Sequence, residues 1–246
     1  MEDYSVYTFS KQEYILYSLR GLFLSSIIAY LFYRSILSIL LFSPYFILYC
    51  KQQKKKCIKT RKWNLNIQFR DAIINISGAL NAGYSIENAI KQSTEDLKLM
   101  YEKDSYIVKE FEYMTRQLKN NQTIEDVFLD FSNRSKVEDI CNFTEVFITA
   151  KRTGGDLIKI IRRTSNSISD KIEVKREIIT LITAKKFESS IMNFIPLGII
   201  LYMWLFSPGF MDPLYGNIKG VVVMSAALVL YGVAYKISQK IIDIEV

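Results

Sequence analysis

The sequence predicts an all-α integral membrane protein, with a cytosolic up-and-down helical bundle set between two pairs of transmembrane helices. Three observations predict it. Apolar, lipid-type segments stand near both ends, over about residues 15–50 and 191–235. Between them, from about Lys51 to Glu188, apolar residues recur with the period of an amphipathic helix. Directly after the first apolar segment come seven bases between Lys51 and Lys62. An excess of Lys and Arg against a membrane segment marks the cytosolic side, so the chain after Cys50 is assigned to the cytosol.

Composition narrows the function classes. Half of the 246 residues are apolar and 13% are aromatic, yet the mean hydropathy is near zero, because greasy ends are averaged with a charged middle. The net charge of +7 is concentrated in the basic run. Such a run also binds phosphate backbones nonspecifically, but its place against a membrane segment favours the topological role, and no nucleic-acid partner is assigned. Cys50, Cys57 and Cys141 have no metal-ligand spacing and read as ordinary thiols of a reducing compartment. The chain has no histidine, and so lacks the commonest general base near neutral pH and the commonest zinc ligand. It also lacks a phosphate-binding P-loop and a dinucleotide fingerprint. No catalytic residue, metal or cofactor is assigned, and ATP-driven work has to be powered by another protein.

The first apolar block would extend about 54 Å as a helix, against a hydrocarbon core of about 30 Å, so one straight span does not account for it. Splitting it at Tyr33-Arg34-Ser35 gives helices over 16–33 and 36–50, with Arg34 in a tight extracytoplasmic turn. Arg20 is near enough to the inner end of the first to snorkel, and Pro44 can kink the second without preventing insertion. A single span plus an interfacial helix, with the N-terminus outside, is the rival arrangement, and residues 1–14 carry too little charge to choose. The block runs far past a normal signal-peptide apolar region and has no convincing cleavage site.

Residues 51–65 read as a basic juxtamembrane linker and 66–188 as the bundle. Phe69, Ala72, Ile73, Ile76 and Leu80 form one stripe, on a helix that ends near Asn81-Ala82-Gly83. Ser85 caps the next helix, which buries Ile86, Ala89, Ile90 and Leu97. Ile107, Phe111, Met114 and Leu118 give a third stripe. Thr123, followed by the first-turn acids Glu125 and Asp126, opens a fourth that carries Ile124, Val127, Phe128 and Phe131. Val137, Ile140, Cys141, Thr144, Phe147 and Ile148 give the fifth, with Lys151 and Arg152 at its cationic end and Gly154 as a left-handed stop. After Gly155 and Asp156 a sixth stripe, from Leu157 through Ile161 and Ile168 to Ile172, continues without proline until Pro196. One long helix is expected there, entering the membrane near Ile191. The stretches beginning at Asn81, Asn121 and Thr153 resemble one another loosely, as shared capping chemistry would make them.

Residues 189–246 read as a membrane hairpin with a short cytosolic tail, its helices over 191–206 and 220–235. Ser207-Pro208-Gly209 and Asp212-Pro213 supply turn chemistry between them. Lys185 and Lys186 precede the pair and Lys236 and Lys240 follow it, which puts Asp212 and Pro213 in an extracytoplasmic loop. Pro196 is expected to kink its membrane helix.

The run from Ala82 to Ile90 (A-G-Y-S-I-E-N-A-I), the run from Glu145 to Leu157 (E-V-F-I-T-A-K-R-T-G-G-D-L) and Pro196 in a membrane helix resemble the type II secretion system F domain. Asp212 to Tyr215, Gly220 and the closing Lys240 to Val246 are similar to the TadB/TadC-like branch. The resemblance covers residues 69–246. It implies a non-enzymatic inner-membrane platform protein of Tad or type IV pilus assembly or of type II secretion. Its implied partners are a cytosolic hexameric secretion ATPase, pilin or pseudopilin subunits, membrane lipid, and either itself or a sister F-domain protein. The chain has room for one F domain where larger platforms carry two, which implies that pairing completes the platform.

The residues singled out admit structural readings too. Gly154 and Gly155 either end one helix and start the next or contribute to partner contact; Arg152 is either a dipole-complementing cation or part of a dock for an acidic partner. Gly83 and Ser85 form the first turn of the bundle. Two other functions stay open at this point: a membrane-anchored receptor or signalling adaptor with a protein-binding bundle, and, with less support, a membrane enzyme, for which no paired carboxylates stand within the spans.

Overall fold

The computed structural model describes residues 3–5, 9, 11–34, 45–207, 209–215 and 217–242. Among the described residues eight α-helices follow one another: α1 (Lys11–Tyr33), α2 (Tyr45–Asn81), α3 (Ile86–Met100), α4 (Tyr106–Lys119), α5 (Ile124–Ser135), α6 (Glu138–Thr153), α7 (Leu157–Phe206) and α8 (Ile218–Ile242), with a 3-10 turn at Asp212–Leu214 before the last. No strand occurs among the described residues. Most of the second N-terminal helix expected over 36–50, Pro44 included, lies outside the described residues, as do Pro208, Gly216 and the last four residues.

The basic stretch 51–65 carries no break in secondary structure. It is helical throughout, inside a single α2 that reaches from Tyr45 to Asn81. The physical reason is local: Lys, Gln and Arg are good helix formers, and no Gly or Pro occurs between Tyr45 and Ser77. Helix α7 is likewise one element of 50 residues, with Pro196 inside it.

The chain divides into two compact units. The first comprises residues 1–8 and 55–174, the second residues 9–54 and 175–246. In the first unit the predicted stripes of α2 to α7 converge on one core. Phe69, Phe111, Phe128, Phe131, Phe143 and Phe147 are all fully buried. Phe143 meets Phe69 edge-on at 5.4 Å and Phe128 at 5.3 Å, and Phe128 lies 4.9 Å from Phe147. Edge and tilted ring contacts of this kind add about 0.5–1.5 kcal/mol per pair beyond the area they bury. Polar ties set the register around this centre. Asp139 accepts from Asn66 at 2.8 Å and from Lys171 at 2.7 Å, joining α6 to both α2 and α7. The α3–α4 hairpin is fastened by Thr94 and Thr115, whose hydroxyls are 3.0 Å apart.

In the second unit α1, the later part of α7 and α8 present apolar side chains outward. Phe23, Phe194, Val222 and Leu230 are each at least 60% exposed, as suits helices solvated by lipid rather than water. These three helices are long and apolar enough to cross a membrane. Hydroxyls join them: Tyr33 to Ser225 at 2.8 Å, Ser189 to Ser238 at 2.6 Å, and Tyr231 donating to the Asn193 carbonyl at 2.9 Å.

Candidate functional site

Three of the helix connections in the first unit are built alike. Each helix ends on a left-handed residue, and the cap of the next helix stands two positions later. Helix α2 ends at Gly83 (φ +87°), whose N–H donates to the Leu80 carbonyl at 3.0 Å while that of Tyr84 donates to Ala79 at 3.2 Å. Helix α4 ends at Asn121 (φ +63°), with Asn121 donating to Leu118 at 3.1 Å and Gln122 to Gln117 at 3.2 Å. Helix α6 ends at Gly154 (φ +69°), with Gly155 donating to Ala150 at 2.9 Å. These are the bonds that satisfy otherwise orphaned carbonyls at a helix end, and the left-handed turn they need suits Gly and Asn.

The following caps are equally uniform. Ser85 accepts from the Asn88 N–H at 3.4 Å, Thr123 from Asp126 at 3.2 Å and Asp156 from Lys159 at 3.0 Å. A three-residue corner reverses the chain each time, so α2/α3, α4/α5 and α6/α7 are antiparallel neighbours whose corners belong to one end of the bundle. Besides residues 1–8, this unit takes up the chain from Lys55 in α2 to Val174 in α7. The opposite end is less carefully capped: neither Ser105 nor Val137 makes a side-chain cap bond.

Between the corners lies an open groove of about 600 Å³. Its wall runs from Glu87 in the first turn of α3, across Leu118 and the Asn121–Asp126 corner, to Lys151 and Arg152 at the end of α6. Lys151 closes it on one side by donating to Glu125 at 2.7 Å, and this bond holds the Glu125 carboxyl below the usual carboxylate range. Arg152 and Glu87 remain exposed at the rim. The groove thus offers both signs of charge beside exposed backbone corners, an arrangement suited to gripping another protein's surface. Within it the Thr123 hydroxyl donates to the Asp126 carboxylate at 2.6 Å, closing the cap of α5. Among the described residues no three His, Cys, Asp or Glu side chains gather as metal ligands would.

The structure brings several residues singled out by the sequence to this one end. Arg152 lines the groove; Gly154, Gly155 and Asp156 form the corner beside it; Gly83 and Ser85 form the neighbouring corner. The two glycines of the α6–α7 corner are not equivalent. Gly154 has the left-handed backbone, whereas a methyl group on Gly155 would meet Ala150 at ordinary contact distances of 3.5–3.7 Å. Pro196 stands apart within α7, in the second unit. So do Asp212 and Pro213, which open the 3-10 turn. There Asp212 lies 3.4 Å from Arg34, the residue expected in the other extracytoplasmic turn, and Tyr215 donates to the Leu31 carbonyl at 2.8 Å. Sequence reasoning marked the stretch from Asn121 as a turn like the other two, but missed the left-handed stop at Asn121 and the Glu125–Lys151 bond.

With this geometry in hand, the family comparison is direct. Residues 72–205 match the family described as Type II secretion system (T2SS), protein F. The match spans more than half of the chain, from the last turns of α2 to the penultimate residue of α7, and the chain belongs to this family. Its members are inner-membrane platform proteins of type II secretion and type IV pilus machinery. No curated protein and no solved structure matches the chain.

Proposed function

We propose that this chain is a non-enzymatic platform of the TadB/TadC-like branch, which couples a cytosolic hexameric ATPase to the assembly of pilin or pseudopilin subunits. The observation that carries this reading is the α6–α7 corner. From it α7 runs as a single helix to Phe206. At about 1.5 Å per residue such a helix extends about 75 Å, long enough to cross both a bundle and a bilayer. A motor that grips the groove pushes on the start of that helix.

In this reading the bundle is cytosolic and the chain crosses the membrane four times. Arg34 and Asp212 support it: both were assigned to outer turns on separate grounds, and they are neighbours in the second unit. Gly83 and Ser85 keep the first corner rigid, Arg152 and the corner Gly154, Gly155, Asp156 form the coupling surface, and Pro196 shapes the membrane end of α7. Membrane lipid surrounds α1, α7 and α8, and pairing with itself or a sister F-domain protein completes the platform.

Affinity purification of the detergent-solubilised chain, with mass spectrometry of what accompanies it, tests the proposal. Recovery of a secretion-type ATPase and a second F-domain protein is the expected result. Recovery of neither, under conditions that hold comparable platforms together, overturns it in favour of a receptor or adaptor. Bulky replacements of Gly154 and Gly155 together are expected to stop filament assembly while the protein remains inserted.

A further inference from the structure

Residues Asp3–Ser5, ahead of α1, are part of the bundle. Tyr4 is 2% exposed, and its hydroxyl donates to the Glu110 carboxylate at 2.9 Å. Glu110 is itself fully buried and is held in a fork by Arg134, whose two terminal nitrogens donate to its two oxygens at 2.8 and 2.7 Å. The Tyr4 N–H donates to the Arg134 carbonyl at 3.1 Å. Its ring lies under the Arg61 guanidinium at 4.6 Å and meets Tyr106 edge-on at 5.8 Å. On either side Asp3 pairs with Lys136 at 3.4 Å, and Lys136 also donates to Ser5 at 3.0 Å. Burial, with the Glu110 carboxylate beside it, raises the Tyr4 hydroxyl well above its ordinary pKa, so it stays a donor at any physiological pH.

This is a fitted seat and not a surface contact. A phenol with a hydrogen-bond donor at its tip satisfies a buried carboxylate that would otherwise have a single partner, and its ring fills a slot between a guanidinium and an aromatic edge. The same Arg134 lies at the C-terminal end of α5, whose first turn carries Glu125 of the groove. Helix α5 therefore joins the two: groove at its start, Tyr4 seat at its end. The segment leads, within a few residues, into α1 at Lys11.

We propose that residues Asp3–Ser5 are a strap, bound in a tyrosine seat made by α2, α4 and α5, that ties membrane helix α1 to α5 and gives the bundle a third link to the membrane besides α2 and α7. It rests on the platform reading for its mechanical role, but not for its docking.

The test uses the full-length protein in native membranes, with Cys50, Cys57 and Cys141 replaced by serine. Asp3→Cys and Lys136→Cys are introduced together and treated with a short bismaleimide. The expected result is an intramolecular cross-link, which falls several-fold when Tyr4→Ala is added and less when Tyr4→Phe is added, since Phe keeps the ring and loses only the donor. No cross-link in the parent pair overturns the strap, provided single-cysteine controls are both labelled. Filament assembly is scored in Tyr4→Ala without the cysteine changes, and a loss with normal insertion supports the third link. Normal assembly with the cross-link lost overturns the mechanical role alone and leaves the platform reading standing. Normal assembly after deletion of the whole chain overturns the platform reading, while the cross-link still reports the docking.

Discussion

The Lys151 ammonium sits 2.7 Å from the Glu125 carboxylate, bridging the last turn of α6 to the first turn of α5. Each charge is also placed well for its own helix, the acid near an N-terminus and the base near a C-terminus. Both side chains are partly exposed, so the pair is expected to contribute less than about 1 kcal/mol. Its worth is positional, because it fixes the width of the groove. The sign of its pH dependence follows from the depressed Glu125 carboxyl: the contribution is complete above the ordinary carboxylate pKa and is lost as pH falls through the lowered folded value. Lys151→Ala is expected to return the Glu125 titration, followed by carboxyl NMR, to the ordinary range. An unchanged titration would show that the bond does not set it.

The α6–α7 corner separates two glycines by their backbone. Gly154→Ala places a side chain at φ +69° and is expected to cost about 1–2 kcal/mol. Gly155→Ala adds a methyl at ordinary contact distance from Ala150 and is expected to be nearly neutral. Thermal melting of the purified, detergent-solubilised variants gives the comparison. Equal losses from the two would count against a corner held by Gly154 alone.

Buried charge makes the Arg134–Glu110 fork the most sensitive polar contact in the bundle. Arg134→Ala leaves a fully buried carboxylate with only the Tyr4 hydroxyl, and the expected loss is about 3–5 kcal/mol. Replacing Glu110 with Gln in the same chain removes the stranded charge and should recover a substantial part of that loss. A double variant no more stable than Arg134→Ala would contradict the assignment of the cost to the carboxylate.

How legible all this was depends on the range of the contact. Periodicity exposed the stripes of α2 to α7, because a helix writes its buried face at spacings of three and four residues, and capping residues such as Ser85 and Thr123 marked the starts. The ends at Gly83 and Gly154 were equally local. The extent of α2 was not read, since Lys-rich sequence looks like a linker by charge and like a helix by propensity, and propensity prevailed. Convergence of the corners at one end could be derived only by following the antiparallel order. Tyr4 was invisible: its partners Glu110 and Arg134 lie more than a hundred residues away, and a lone tyrosine among few charges carries no period.

Gly220 looked like a family signature, and the structure supplies its reason. A Cβ there would fall 2.4 Å from the Leu214 carbonyl oxygen and 2.7–2.8 Å from two further backbone atoms of that residue. Such approaches are closer than real side chains tolerate, and backbone cannot swing aside as a flexible side chain can. The first turn of α8 is therefore pressed directly onto the 3-10 turn that opens with Asp212 and Pro213. Gly220→Ala has to lift that turn away, and with it the contacts that Asp212 makes with Arg34 and Tyr215 with Leu31. In the proposed four-span arrangement Arg34 stands in an outer turn, so in cells Arg34→Cys is expected to react with a membrane-impermeant maleimide. Adding Gly220→Ala should speed the reaction, since the covering turn has moved. A cysteine at position 34 that reacts only after the membrane is permeabilised would place this turn in the cytosol and overturn the four-span arrangement.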